Sequence, residues 1–163
     1  RIPYQSWEVA AYTLLSAFYG NEKRAIELTK LSAFTRMAHD NETMHVVVMT
    51  HIAKKHRCVG LFRHMLIPLV FAFFYFWAIF VLYLFSRKAS LELNYLFENH
   101  AYHQYDAFLK SEGDRLKHEP LMSEFLSFYG REIMNEYAFF ESVRNDELIH
   151  RNRSIREMHA ARS

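Results

Sequence analysis

Helix-breaking residues are scarce in this chain, with 4 glycines and 3 prolines in 163 positions. An all-β fold needs a turn every ~8–12 residues, and the turn residues for that are missing. The single cysteine, Cys58, excludes an internal disulfide framework and any cysteine-rich zinc or iron–sulfur site. Neither sign of charge dominates. Lys and Arg number 20 against 18 Asp and Glu, a net of +2, so the basic footprint of a nucleic-acid binder is missing. Apolar residues, by contrast, are abundant: 51% hydrophobic and 17% aromatic excludes disorder. What remains is a mostly helical single domain over 1–163, large enough to bury its own core. No signal peptide is visible. With Arg1 in first place rather than Met, the chain is expected to be a processed or trimmed product.

The few breakers divide the chain. Gly20-Asn21, Arg57 to Gly60, Ser86 to Ser90 and the polar stretch Glu112 to Pro120 separate five periodic segments. The predicted helices are 3–19, 22–56, 61–86, 90–112 and 121–160, with Gly130 placed to kink or split the last. The third segment stands apart, because Met65 to Phe85 carries no charge over 21 residues. That length suffices to cross a bilayer. Its flanks are basic on both sides, with Arg57, Arg63 and His64 before and Arg87 and Lys88 after, so no orientation follows. A helix apolar all round also suits burial in protein or a position half-sunk in one leaflet. The other four segments are amphipathic. The reading adopted is a monotopic or protein-buried helix, with a span as the alternative, and the aromatic run 71–85 reads as core or lipid contact.

Two Glu-x-x-His motifs occur, Glu42-Thr-Met-His45 and Glu147-Leu-Ile-His150. Residues i and i+3 share a helix face, so each pair can grip one metal from one side. Spacing alone is weak, since with 14 Glu and 10 His chance gives about one such motif. The faces carry more. Phe34, Ala38, Glu42, His45, Met49 and Ile52 follow one helical stripe, and Phe140, Val143, Glu147, His150 and Ser154 another. Segment one adds Glu8 on a stripe with Tyr4, Tyr12 (or Ala11), Leu15 and Phe18. Segment four adds Glu98 with Leu91, Tyr95, Ala101, Tyr102 and Tyr105. Acids on core-facing stripes are costly without compensation. The order Glu, Glu-x-x-His, Glu, Glu-x-x-His is the ligand set of a carboxylate-bridged dimetal site in a ferritin-like four-helix bundle. Oxygen and nitrogen donors suit iron or manganese. Tyr105, two turns after Glu98, is either a core tyrosine or a phenol beside the metals. His100 and His103 lie off that stripe, as support or surface residues. His39, His51, His56, His64, His118 and His159 read as solvated.

The stretches Trp7-Glu8-Val9, Asn41-Glu42-Thr-Met44-His45, Glu98-Asn-His100-Ala101-Tyr102-His-Gln-Tyr105 and Arg144-Asn-Asp146-Glu147-Leu-Ile-His150 resemble, in order, four motifs of the alternative oxidases. The third, continued through Asp106-Ala-Phe108-Leu109-Lys110 to Gly113 and Pro120, is most similar to the plastid terminal oxidase branch. The resemblance implies an all-α bundle with two iron ions on Glu8, Glu42, His45, Glu98, Glu147 and His150. It also implies an activity-bearing Tyr105 and supporting Asn41 and Asp146. Pro3 stands where the family has an arginine, and Gln104 where it has threonine. The family's membrane-facing helix ahead of the first ligand helix falls outside this chain, and the plastid insertion before the last motif is absent.

The implied activity is quinol oxidation coupled to reduction of O2 to water, in a membrane-associated homodimer or a subunit of a larger membrane complex. The implied setting is the plastid thylakoid, with the mitochondrial inner membrane as the alternative. Two rival readings are a catalytically silent structural subunit and a ferritin-like iron protein. The apolar run 65–85 speaks against the second.

Overall fold

The computed structural model describes residues 1–56, 60 and 62–160. Among them there are six α-helices and no strand: α1 (Ile2–Phe18), α2 (Glu22–Lys55), α3 (Ile67–Phe85), α4 (Arg87–Lys117), α5 (Glu124–Phe128) and α6 (Glu136–Ala160). The fold class is all-α, as the scarcity of breakers requires. A π-helical turn over Phe62–Leu66 leads into α3, which carries Pro68 in its first turn.

Local chemistry sets the boundaries. The Asn21 side chain accepts from Arg24 N–H (3.2 Å) at the start of α2, and Asn135 accepts from Ala138 N–H (2.9 Å) at the start of α6. Gly130, at φ +66°, splits the last predicted helix into α5 and α6, a left-handed conformation that suits glycine. Of the expected break at Arg57 to Gly60, residues 57–59 lie outside the described residues, as do Cys58 and Leu61.

Two expectations about α4 are corrected. The break before it is one residue, not the three between the predicted helices: Ser86 alone leaves the helix (φ −152°, ψ 87°), and its hydroxyl accepts from Ala89 N–H (3.3 Å). The supposed loop from Glu112 is helical to Lys117. Its polarity is that of a solvated helix end, with Arg115–Glu112 (2.8 Å) and Lys117–Asp114 (3.3 Å) pairs one turn apart. Gly113 lies inside the helix, where a Cβ would stand 3.2 Å from Tyr137 Cε2.

The chain divides into two compact units. The first comprises Arg1–Thr43 and Val59–Ser90, the second Met44–Cys58 and Leu91–Ser163. In the first, α1 packs on α3. Tyr4 and Trp7 are fully buried, with ring centroids 5.5 Å apart, and Trp7 Nε1 donates to Ser90 Oγ at 2.7 Å. Ser6 Oγ donates to the Phe76 carbonyl (2.9 Å), a further tie to α3. Ala11, not Tyr12, takes the buried stripe position, and Tyr12 is 71% exposed. Only Ile79 and Tyr83 of α3 are buried, whereas Phe71, Phe73, Phe74, Trp77 and Phe85 are exposed. The core reading of the run 71–85 therefore fails for most of it. The second unit is built on Met44, Val48, Ile52, Leu121, Leu126, Phe139 and Val143, with Met49, Tyr105 and Phe140 packed against them.

Candidate metal centre

The helical period carries the acids where the stripes predict. On α2, Ala38, His45, Val48 and Ile52 are buried and follow one face, and Glu42 stands one turn before His45, with its side chain 14% exposed. On α6, Val143, Glu147, His150 and Ser154 are buried along one line, and on α4 so are Leu91, Asn94 and Glu98. Asn94 Nδ2 donates to Ser154 Oγ at 3.1 Å, which ties α4 to α6.

In the second unit, Glu98, Glu147 and His150 each offer a donor atom, and these atoms lie within 4.8 Å of one another. His45 stands beside the group: its Nε2 donates to Asp146 Oδ2 at 3.0 Å, and its Nδ1 lies 3.9 Å from Glu147 Oε1. Asp146 also accepts from Arg131 Nη1 (3.4 Å), which in turn donates to Ser142 Oγ (3.0 Å). Tyr105 is half-buried, and its hydroxyl donates to Met49 Sδ at 3.5 Å. His100 and His103 are exposed, off the buried stripe.

In the first unit the carboxylates are differently held. Glu8 is half-buried and accepts from Arg36 Nε at 3.0 Å. Glu42 accepts from the terminal amine of Arg1 at 3.3 Å, and Asn41 is half-buried next to it.

The donor set fits a metal. Glu98 and Glu147 are two carboxylates buried close together, and that arrangement is compensated either by positive charge at the same place or by a shared proton. Oxygen and imidazole donors without thiolate match iron or manganese. A glutamate–histidine group able to hold a metal is thus present among the described residues.

The sequence reading missed a second polar cluster. Glu136 is 1% exposed and lies at the start of α6. Lys55 Nζ donates to Glu136 Oε1 (2.9 Å) and to Glu119 Oε2 (2.7 Å), and His56 Nε2 lies 3.1 Å from Glu136 Oε1. His56, expected to be solvated without a partner, is therefore part of an ionic knot that joins α2 to α6. The Lys55 ammonium holds the Glu119 carboxyl below its usual range, and hydrogen bonds to Glu119 and then Glu136 raise Lys55 in turn. Because Lys55 already brings a cation to both carboxylates, the knot reads as structural. Its signal was available: Glu136, Phe140, Val143 and Glu147 share one helical stripe.

The family model for alternative oxidase matches residues 34–158. A curated relative, ubiquinol oxidase 4, chloroplastic/chromoplastic, of Arabidopsis thaliana, is 28% identical over an aligned stretch of 130 residues. That stretch covers 68% of this chain and 36% of the relative, so the chain spans about a third of its length. No solved structure matches. The matched span contains both Glu-x-x-His motifs, Glu98 and Tyr105 in the expected order, and on that ground the chain belongs to the alternative oxidase family.

Proposed function

We propose that this chain is a membrane-associated quinol:oxygen oxidoreductase, with two iron ions held by Glu8, Glu42, His45, Glu98, Glu147 and His150. The observation that carries the reading is the buried grouping of Glu98, Glu147 and His150, with His45 turned by Asp146 beside it. The family match over residues 34–158 includes Glu42, and Glu8, which precedes that span, joins the set through the resemblance of Trp7-Glu8-Val9. When bound, the irons would supply oxygen binding and electron transfer. Two quinols deliver four electrons and four protons to one O2, which leaves two quinones and two waters.

The chain's own residues have defined tasks in this reading. The four glutamates balance the charge of two divalent cations. Asp146 and Asn41 support the ligands, and Asp146 fixes the imidazole of His45. The Tyr105 phenol holds a proton at its oxygen two turns along α4 from Glu98. Quinol enters beside the exposed aromatics of α3, which lies in one leaflet of the membrane. The full chain acts as a single domain and as a homodimer. The relative's name, chloroplastic/chromoplastic, favours the plastid, with the thylakoid as the membrane in this reading.

The test is iron analysis joined to oxygen uptake in vesicles. Two irons per chain and quinol-dependent uptake insensitive to cyanide are expected. Iron-loaded protein in a membrane that consumes no oxygen with any added quinol would sink the oxidase reading.

A further inference from the structure

Near the C-terminal end of α3 the first unit contains a cavity of about 540 Å³, lined among others by Leu14, Lys23, Arg24, Leu28, Tyr83 and Arg87. Three cations face it against one carboxylate, Glu27. Neither Lys23 nor Arg24 forms an ion pair with a described residue. The Arg24 guanidinium is instead held over the Phe18 ring, 4.0 Å from its centroid, a stacking that orients its N–H groups while leaving the charge in place. Beside the cavity the surface is apolar: Phe18, Tyr19, Ile26, Leu84 and Phe85 are all exposed. A polar cradle of excess positive charge, set among apolar side chains at the end of a long exposed apolar helix, matches one molecular shape. That shape is an anionic headgroup attached to hydrocarbon chains.

We propose that this cavity binds the phosphate headgroup of an anionic glycerophospholipid, with Lys23, Arg24 and Arg87 around the phosphate and the acyl chains against α3. The proposal rests on the reading that α3 meets a membrane. Charge complementarity selects the lipid class, since a zwitterionic headgroup brings its own cation and gains little from three more. The adjoining apolar surface selects a lipid over a free anion, because a soluble phosphate leaves Leu84 and Phe85 in water.

The test is co-sedimentation of the full chain with vesicles of phosphatidylcholine alone and of phosphatidylcholine mixed with phosphatidylglycerol. Phosphatidylglycerol should raise binding by about tenfold or more, near fivefold for each cation engaged. Arg24→Glu should remove most of that gain and keep binding to phosphatidylcholine alone, which also shows that it is folded. Lys54→Glu, the same change of charge on an exposed lysine of the second unit, should keep the gain. Equal loss in both variants assigns the effect to overall charge and overturns the site. Saturable binding of inorganic phosphate that competes with phosphatidylglycerol assigns the cavity to a soluble anion and overturns the lipid. Wild-type chain that binds both vesicles equally defeats the headgroup proposal but not the membrane reading, whereas binding to neither defeats both.

Discussion

His45 and Asp146 are 101 residues apart in sequence, and their side chains meet at 3.0 Å between Nε2 and Oδ2. The carboxylate takes one ring nitrogen and so turns the other, Nδ1, toward Glu147 at 3.9 Å. An outer carboxylate of this kind fixes the tautomer and rotation of an imidazole. Asp146→Ala should weaken iron binding by about 10–100-fold in chelator competition, with helicity by circular dichroism unchanged. Asp146→Asn, which still offers an acceptor oxygen, should lose less. Equal iron affinity in wild type and the Ala variant would remove Asp146 from any role in the site.

Tyr105 packs against the core of the second unit, and its hydroxyl donates weakly to the Met49 sulfur. A thioether acceptor contributes little to stability. Tyr105→Phe should therefore shift unfolding free energy by less than about 1 kcal/mol and leave iron content intact. Quinol-dependent oxygen uptake should fall at least tenfold. Retained uptake would make the phenol a packing group.

Glu136 is buried and meets Lys55 and His56 from the end of α2. Glu136→Ala should lower stability by roughly 2 kcal/mol in denaturant titration, less than for a fully buried pair because both partners are partly exposed. Lys55→Met should also destabilise, since it leaves the carboxylate with His56 alone. A variant as stable as wild type would show that water replaces the knot without loss.

The same knot sets a pH dependence. Glu119 titrates lower in the folded chain than unfolded, so its contribution is present above the usual glutamate range and lost on acidification. Lys55 titrates higher in the folded chain than unfolded, so its contribution is present below the usual lysine range and lost as pH rises through the folded pKa. Melting temperature should be flat between these limits with respect to this pair. Glu119→Gln should shrink the acid decline, and high salt should do the same to a lesser degree, because the pair is partly exposed.

Two glycines should respond in opposite directions to alanine. Gly130 holds φ +66°, so Gly130→Ala should cost ~1 kcal/mol. Gly113 is inside α4, where a Cβ would lie 3.2 Å from Tyr137 Cε2. Tyr137 is half-exposed and can shift its ring, so the helix gain of ~1 kcal/mol should outweigh the contact and Gly113→Ala should stabilise slightly. A leucine there should destabilise. Thermal melts of the variants decide both.

Much of this was legible because helices write their faces at fixed spacing. Glu42 and His45, or Glu147 and His150, can be assigned to one side of a helix from their separation alone. Ser86 and Glu112 to Lys117 were misread for a local reason: a one-residue break and a charged helix end both look like loop in composition. For Glu136 the only local signal is its stripe with Phe140, Val143 and Glu147, while its partners His56 and Lys55 arrive from 80 and 81 residues away. Arg131, which reaches Asp146 across a turn, was hidden in the same way.

The second unit is discontinuous in the chain, with residues Met44–Cys58 separated from Leu91–Ser163 by a stretch that belongs to the first. On the ribosome, every part of the first unit, including all of α3, is made before Glu98 exists. At roughly 5–20 residues per second, several seconds pass between the making of Ser90 and of His150. The apolar helix α3 is thus complete while the histidine of the first Glu-x-x-His still lacks Asp146. The packing of α1 on α3 therefore needs nothing made after Ser90, whereas the grouping of Glu98, Glu147 and His150 waits for α6.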